Sequence, residues 1–248
     1  MTNYEPTQIY PLPQEPWVKL ANGSELKSWS REDEIAYNQA NRQAQKLSFY
    51  RQAFDFLTEN QVKGDYHEYG CHRVRTFRMA LTEARRHNLS DMKFMAFDSF
   101  EGLPEVESSP SVELWQKGNL LTTEEQFWSI IKDHDIYVEN CQTIKGFYDQ
   151  TLTNDLQAQF LQKEDKIALA CIDCDLYESV VPVFQFIEPL LQEGSLLYID
   201  EIFNGYKGSP VKGVSKAFNE FQEKSRFKFA PHIQIGWWGR SFIAYLDN

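Results

Sequence analysis

The sequence predicts a doubly wound α/β fold with a mostly parallel sheet of seven strands, helices on both faces and an antiparallel hairpin at its end. Residues 167–172 are all apolar, which is typical of a strand buried on both faces of a parallel sheet. Strand and helix patterns alternate five times between residues 65 and 224, as in a Rossmann-like sheet. Two further strand-like runs, 227–235 and 241–246, flank Gly236-Trp-Trp-Gly239 and predict the hairpin.

The individual elements follow from the periodicity of apolar residues. Ser30-Arg-Glu-Asp33 has the form of a capping box, and apolar residues at helical spacing continue to Glu59, so we expect one long helix or two abutting ones. Gly64 ends this pattern. The predicted strands of the repeating units cover residues 65–69, 93–97, 141–145, 167–172 and 195–199, and the helices cover residues 74–87, 122–133, 180–191 and 213–224.

Length and charge restrict the class of protein. A chain of 248 residues with 42% hydrophobic residues fits one main domain, which we assign to residues 61–248. Residues 1–60 are interpreted as an aromatic arm and helices that act as a lid or an oligomer contact. The net charge of −11 argues against nucleic acid or a membrane surface as a partner. The sequence shows neither a signal peptide nor a membrane-spanning run, so we expect a cytoplasmic protein.

The four cysteines are expected to be reduced and buried, because each lies in or beside an apolar run. Cys171 and Cys174 have the spacing of a redox or half-zinc motif. Residues three apart on a strand point to opposite faces, however, and no second pair completes a zinc site. We therefore interpret these cysteines as structural.

Polar residues collect where the predicted strands end, at the edge where open α/β sheets bind ligands. The first turn, Glu68-Tyr-Gly70-Cys-His-Arg-Val-Arg-Thr76, lacks the three glycines of a dinucleotide motif, so a ligand without phosphates fits it better. Asp98 follows the second strand and is placed to accept hydrogen bonds from two ribose hydroxyls. An ordinary strand-to-helix turn and a capping Asp are the alternative interpretations.

Three carboxylates, Asp173, Asp200 and Glu201, follow two buried strands at the same predicted edge. Oxygen ligands of this kind suit Mg²⁺ or a similar hard cation. The alternative is that these acids cap the following helices. No sequence pattern marks a nucleophile.

The motifs together resemble a known family. In order they are Glu68-x-Gly70, Asp98-Ser-Phe-Glu-Gly-Leu-Pro104, Lys145-Gly-Phe147, Asp173-x-Asp-Leu-Tyr-Glu-Ser179 and Ile199-Asp-Glu201. They are similar to those of the macrocin O-methyltransferase-like family. Its members are class I S-adenosylmethionine enzymes that use Mg²⁺ to methylate sugar hydroxyls of natural products. The resemblance covers roughly residues 60–225 and implies the class I methyltransferase fold.

The resemblance also implies roles for individual residues. The methionine part of the cofactor would be held by residues of the first turn, namely Glu68, Gly70, Cys71, His72 and Thr76. The ribose and the adenine would lie against residues after the second and third strands, namely Asp98 and Ser99 for the ribose, and Gly146 and Phe147 for the adenine. The metal ligands would be Asp173, Asp200 and Glu201. The family usually has glycines at Val74 and Arg75 and a second Asp at position 201, so this chain departs from the family pattern at both places.

We therefore expect an O-methyltransferase that acts on a hydroxyl of a sugar or glycosylated small molecule. Mg²⁺ would lower the pKa of that hydroxyl and orient it, and Asp173 would accept its proton. Related catechol-type enzymes have a lysine three residues after the first metal-binding Asp. Here that position is Leu176, so Asp173 or a nearby group such as Asp175 must act as the base. Trp237 and Trp238 are candidates for stacking on a sugar face.

Two alternative functions stay open at this point. A glycosyltransferase would hold a metal and a nucleotide sugar with Asp173 and Asp175, although basic residues for a diphosphate are sparse nearby. A non-catalytic relative would keep the fold as a binding module if the departures at Val74, Arg75 and Glu201 abolish cofactor and metal binding. Homo-oligomers are common in the resembled family, and the aromatic arm is the candidate contact.

Overall fold

The structure is a computed structural model that describes residues 23–105 and 116–247. The chain divides into two compact units, Met1–Gln43 and Ala44–Asn248. The predicted arm at residues 1–22 and most of the predicted loop at residues 101–112 lie outside the described residues.

The first unit contains helix α1 (Gly23–Ser28) and the beginning of helix α2 (Arg31–Glu59). The predicted capping box is present, because Ser30 N–H donates to Asp33 Oδ2 at 2.9 Å and Asp33 N–H donates to Ser30 Oγ at 3.1 Å. These bonds satisfy N–H groups that have no partner within the helix. The predicted helix from residue 30 to Glu59 is therefore confirmed as one continuous helix.

The second unit is built on a seven-stranded sheet in the order β3-β2-β1-β4-β5-β7-β6. The strands are β1 (Asp65–Tyr69), β2 (Phe94–Asp98), β3 (Cys141–Lys145), β4 (Ile167–Ile172), β5 (Leu196–Ile199), β6 (Lys228–Ile235) and β7 (Gly239–Tyr245). The first five are parallel, and β7 pairs antiparallel with both β5 and β6. The predicted sheet and its terminal hairpin are confirmed.

Helices connect the strands of the second unit. They are α3 (Arg75–Arg86), α4 (Glu124–His134), α5 (Tyr148–Thr151), α6 (Asn154–Gln162), α7 (Tyr177–Ile187) and α8 (Gly213–Lys224). The sequence analysis did not predict α5 and α6. Helix α6 buries only Phe160, so its apolar periodicity is weak, but Thr153 caps it by accepting from Leu156 N–H at 3.2 Å.

Both faces of the sheet are buried, as the continuous apolar run of β4 predicts. Ala168, Leu169 and Cys171 belong to a cluster packed by helices α2, α3 and α4. Ile167, Ala170 and Ile172 belong to a second cluster packed by α6, α7 and α8. From Leu169 to Ile172 the side chains alternate between the two clusters, as the pleat of a strand requires. Ala168 and Leu169 share one cluster, because the pairing of β4 with β1 shifts register at this point.

The α2 segment that packs on the sheet contributes Phe49, Tyr50, Ala53, Phe54 and Leu57 to the first cluster, all at most 1% exposed. Their spacing places them on one face of the helix. All four cysteines are buried and free, as expected. Within the described ranges, no helix combines the length and apolarity needed to cross a membrane.

Candidate active site

The predicted site residues lie at the carboxyl ends of β1 to β5, which are adjacent in the sheet. The strand order reverses at β1, because the chain continues to β2 on one side of β1 and later to β4 on its other side. Such a switch point is where open α/β sheets form a ligand crevice.

Glu68, near the end of β1, is fully buried. Its Oε1 accepts from Thr76 Oγ1 at 2.9 Å, and its Oε2 accepts from the Tyr66 hydroxyl. The Tyr66 hydroxyl also lies 2.8 Å from that of Tyr50. Burial raises the pKa of Glu68 to about 8, although these hydrogen bonds oppose the shift. Glu68 thus ties β1 to α3 and, through Tyr66, to α2.

Gly70 follows β1 where the backbone of the chain comes close to β4. Its φ is +94°, and a Cβ at this position would lie 2.0 Å from the Asp173 carbonyl oxygen. Gly70 N–H donates to Phe97 O at 3.0 Å, and Asp173 N–H donates to Tyr69 O at 2.9 Å. Only glycine fits both the left-handed backbone and this contact.

Asp98 joins the ends of three strands. Its Oδ2 accepts from Cys71 N–H at 2.6 Å, and its Oδ1 accepts from Phe100 N–H at 2.7 Å. Its carbonyl oxygen accepts from Gly146 N–H at 2.9 Å. Burial raises the pKa of the Asp98 carboxyl, and the backbone hydrogen bonds from Cys71 and Phe100 and the side-chain hydrogen bond with Ser99 oppose that shift. A carboxylate has about four acceptor positions, so Asp98 keeps capacity to accept a hydrogen bond from a ligand.

The turn between β1 and α3 has an unusual backbone at Val74, one of the two positions where the sequence departs from the resembled pattern, whereas the other, Arg75, is helical. Arg73 and Val74 have φ values of +58° and +53°, which are rare for residues other than glycine. Thr122 holds the turn, since its hydroxyl accepts from Arg73 N–H at 2.9 Å and lies 3.3 Å from His72 Nδ1. Val74 thus retains a backbone conformation suited to the glycine that the family usually has.

The other predicted cofactor residues occupy tight turns at the same edge. Ser99 Oγ donates to Gly102 O at 2.8 Å. Gly146 has a φ of +135°, and a Cβ on it would lie 2.5 Å from Thr151 Cγ2. Phe147 precedes α5, and its carbonyl accepts from Thr151 Oγ1 at 3.0 Å. The structure therefore brings these residues to the predicted edge, and their roles in binding stay predictions.

Asp173 and Asp200 come together after β4 and β5, and the side chain of Lys46 lies between them. Lys46 Nζ donates to Asp173 Oδ2 at 2.9 Å and to Asp200 Oδ2 at 2.7 Å. The side chains of Lys46, Asp173 and Asp200 are 7%, 22% and 1% exposed. The Tyr198 hydroxyl donates to Asp200 Oδ1 at 2.7 Å, so both oxygens of Asp200 accept hydrogen bonds from side chains.

Lys46 was not predicted as a site residue, although its place on the apolar face of α2 could have indicated it. Lys46 precedes Phe49, Tyr50 and Ala53 by three, four and seven residues, which places it on the apolar face of α2. A lysine on such a face needs a partner, because a buried charge is costly unless it is paired.

The charges of this cluster shift the ionisation of its members. Burial lowers the pKa of Lys46, but the negative charges of Asp173 and Asp200 outweigh burial and raise it above its usual value. Burial and the neighbouring Asp200 raise the pKa of Asp173 to about 7, and Lys46 opposes this shift.

The remaining acids of the edge are Asp175 and Glu201. Both have left-handed backbones, with φ values of +59° and +54°. Burial raises the pKa of Asp175 well above its usual value, and the charges of Asp173, Glu201 and Asp200 add to the shift. Residues in such conformations cluster at functional sites.

The arrangement of these acids does not fit a divalent metal. Among the residues that the structure describes, no three His, Cys, Asp or Glu side chains are grouped to hold one. The Oδ2 atoms of Asp173 and Asp200 instead bind the ammonium of Lys46, which is the chemistry of an ion pair.

The turn between β6 and β7 lies beside the acid pair. In the antiparallel register Ile199 pairs with Arg240, and a Cβ on Gly239 would lie 3.1 Å from Asp200 Oδ1. Phe203 N–H donates to Trp238 O at 3.2 Å, which connects this turn to the loop after β5. Trp238 is buried, whereas the side chain of Trp237 is 63% exposed.

Known proteins share this fold. The chain is 24% identical over 162 residues to a demethyldecarbamoylnovobiocin O-methyltransferase of Streptomyces niveus, an alignment that covers 63% of this chain and 59% of that protein's length. It is similar to the structure of the O-methyltransferase NovP, with a TM-score of 0.64, 20% identity, and coverage of 80% of this chain and 79% of NovP. The calicheamicin methyltransferase CalS11 gives a TM-score of 0.62 at 17% identity, and the match covers 94% of this chain and 88% of the CalS11 chain.

A family model described as macrocin-O-methyltransferase (TylF) matches residues 24–243, which is most of the chain. The match extends beyond residues 60–225, where the motifs of the sequence carry the resemblance. It also includes the α2 segment that holds Lys46. The chain belongs to the macrocin-O-methyltransferase (TylF) family.

Proposed function

We propose that this protein is an O-methyltransferase that transfers the methyl group of S-adenosylmethionine to a hydroxyl of a sugar or glycosylated small molecule. The observation that carries the proposal is the position of Asp98 at the end of β2, beside the switch point of the sheet. Its carboxylate is oriented by two backbone N–H groups while keeping acceptor capacity for a ligand. Membership of the TylF family supports the reaction class.

The edge of the sheet supplies the parts of a nucleoside site. S-adenosylmethionine supplies a methyl group on a positively charged sulfur. Asp98 would accept hydrogen bonds from the ribose hydroxyls, and Gly146 and Phe147 would border the adenine. The turn after Gly70 faces the methionine end, and its glycine keeps β1 and β4 close together. This site contains no phosphate-binding glycine cluster, which suits a cofactor without phosphates.

Asp173 is the proton acceptor in this proposal. It is the more exposed member of the acid pair, at 22% against 1% for Asp200, so an acceptor hydroxyl reaches it first. Asp173 takes the hydroxyl proton as the acceptor oxygen bonds to the methyl carbon and the carbon–sulfur bond breaks. Positioning and electrostatics supply most of the rate in such a transfer. Mg²⁺ takes no part in this proposal, because Lys46 and Tyr198 already donate to Asp173 and Asp200, two of the three carboxylates predicted to hold it.

A sugar acceptor is favoured by the turn beside the acid pair. Trp237 presents an exposed ring two residues before Gly239, which packs against Asp200. An exposed aromatic ring in the turn beside the acid pair suits the apolar face of a sugar ring. The similarity to methyltransferases of novobiocin and calicheamicin supports a natural-product acceptor.

Calorimetric titration with S-adenosylmethionine tests the proposal, using wild type, Asp98→Ala and Glu105→Ala. Glu105 pairs with Lys117 on the exposed surface and serves as the matched control for loss of a carboxylate. We expect micromolar affinity in wild type and in Glu105→Ala, and at least a tenfold loss in Asp98→Ala. A screen of sugars and glycosides with a labelled methyl donor then identifies the acceptor. No binding at millimolar cofactor by folded wild-type protein would refute the proposal.

A further inference from the structure

Resting on the proposed methyl transfer, we propose that Lys46 is a positioning residue that takes the place of a divalent cation between Asp173 and Asp200. The positive charge of the site is then supplied by the protein itself. Methyl transfer by this chain accordingly proceeds without a bound metal ion.

The geometry shows a direct competition for the same atoms. Lys46 Nζ lies 2.9 Å from Asp173 Oδ2 and 2.7 Å from Asp200 Oδ2. A hard cation bridging the pair would bind carboxylate oxygens at about 2.0–2.6 Å. It would have to break both ion pairs and then sit beside a displaced ammonium. Asp200 Oδ1 offers no easy alternative, because it accepts from the Tyr198 hydroxyl at 2.7 Å.

The core holds Lys46 in this position. The side chain leaves α2 one turn before Phe49 and Tyr50, which are buried. The ring of Phe49 lies 4.8 Å from that of Tyr198, and Lys46 Nζ lies 5.8 Å from the centre of the Tyr198 ring. Withdrawal of Lys46 would leave Asp200 buried without its cation, and such a change is strongly unfavourable.

This arrangement has a use in the proposed reaction. An ammonium group has three N–H donors, of which two bind the acid pair and fix the orientation of Asp173. The fixed charge also lies where negative charge develops as the acceptor hydroxyl loses its proton. A preorganised cation at that place stabilises the transition state, which is the task that a metal ion performs in other sites.

Binding of Mn²⁺, followed by electron paramagnetic resonance, tests the inference without relying on catalysis. The proteins are wild type, Lys46→Met, which keeps most of the stem and removes the charge, and Lys46→Arg, which keeps the charge. We expect no Mn²⁺ site in wild type or in Lys46→Arg up to millimolar metal. Lys46→Met should bind Mn²⁺ at least tenfold more tightly, and adding Asp173→Asn to Lys46→Met should abolish the gain.

Micromolar Mn²⁺ binding by wild type that is lost in Asp173→Asn would overturn the inference, and so would folded Lys46→Met that gains no affinity. If Lys46→Met does not fold, Mn²⁺ binding by wild type and Lys46→Arg decides alone. Absence of a Mn²⁺ site in both proteins then supports the inference. Methyl transfer by wild type should also keep its rate in excess chelator. Failure of the proposed function is separate, because it would appear as missing cofactor binding while the Mn²⁺ result stood.

Discussion

Replacing Gly70 by Ala should be among the most damaging single-methyl additions in the chain. The added Cβ would lie 2.0 Å from the Asp173 carbonyl oxygen, whereas a relaxed carbon–oxygen contact is about 3.3 Å. The backbones after β1 and β4 would have to separate by roughly 1 Å. That movement would lengthen the hydrogen bond from Asp173 N–H to Tyr69 O, which is now 2.9 Å, beyond the range of a good hydrogen bond.

The size of the effect has two parts. A residue other than glycine at a left-handed φ costs about 1–2 kcal/mol. Loss of a buried hydrogen bond with an unsatisfied donor costs about 1–3 kcal/mol. We therefore expect Gly70→Ala to lower the free energy of unfolding by about 3 kcal/mol and to weaken cofactor binding, because the displaced backbone carries both Gly70 and Asp173.

Gly118→Ala is the matched control. Gly118 also has a left-handed φ, +79°, but a Cβ there would meet no atom of the described residues within 4 Å. It should lose only the conformational part, about 1–2 kcal/mol. Urea unfolding of both variants at the same pH measures the difference. If the two variants lose the same free energy within about 0.5 kcal/mol, the close approach of β1 and β4 does not explain why Gly70 is needed.

Three further predictions concern burial, charge and the acceptor. Burial lowers the pKa of His67 to about 3. As the pH falls below 6.5, His67 therefore becomes protonated in the unfolded chain and stays neutral in the folded one. From pH 8 to pH 5 wild type should therefore lose about 2 kcal/mol more unfolding free energy than His67→Phe in urea titrations, and equal losses would contradict this. Lys46→Met should lower the free energy of unfolding by about 3–5 kcal/mol. The double variant Lys46→Met, Asp200→Asn should lose at least about 1 kcal/mol less than the sum of the losses of the two single variants. Trp237→Ala should raise the acceptor KM about tenfold with unchanged S-adenosylmethionine affinity, with Trp237→Phe intermediate, and an unchanged KM would exclude stacking on this ring.

Much of the fold was predictable because its strands are buried on both faces. The observed bounds of β1, β3 and β4 agree with the predicted ones, and α8 runs from Gly213 to Lys224 as expected. Helix α6 was missed because it lies on the surface with one buried residue, Phe160, and its capping Thr153 is not distinctive alone. Two-sided burial produces a continuous signal in the sequence, and one-sided burial of a short helix does not.

The site was predictable only where its residues follow strands directly. Asp98, Asp173 and Asp200 were identified because strand ends are readable and parallel strands end at a common edge. Lys46 was not, because it is 127 residues from Asp173 in the chain and no local pattern connects them. The expectation of a metal rested on acids at two adjacent strand ends and on the family resemblance, and the cation that pairs with Asp173 and Asp200 in the structure comes from helix α2.

Helix α2 links the two halves of the site through the core. On one turn Lys46 binds the acid pair at the ends of β4 and β5. On the next, the Tyr50 hydroxyl meets that of Tyr66, which donates to Glu68 at the start of the cofactor turn. A shift of this part of α2 would therefore change the ion pairs of Asp173 and Asp200 and the hydrogen bonds of Glu68 together. Replacing Phe49, whose ring lies 4.8 Å from that of Tyr198, would accordingly change the position of Lys46 beside the acid pair.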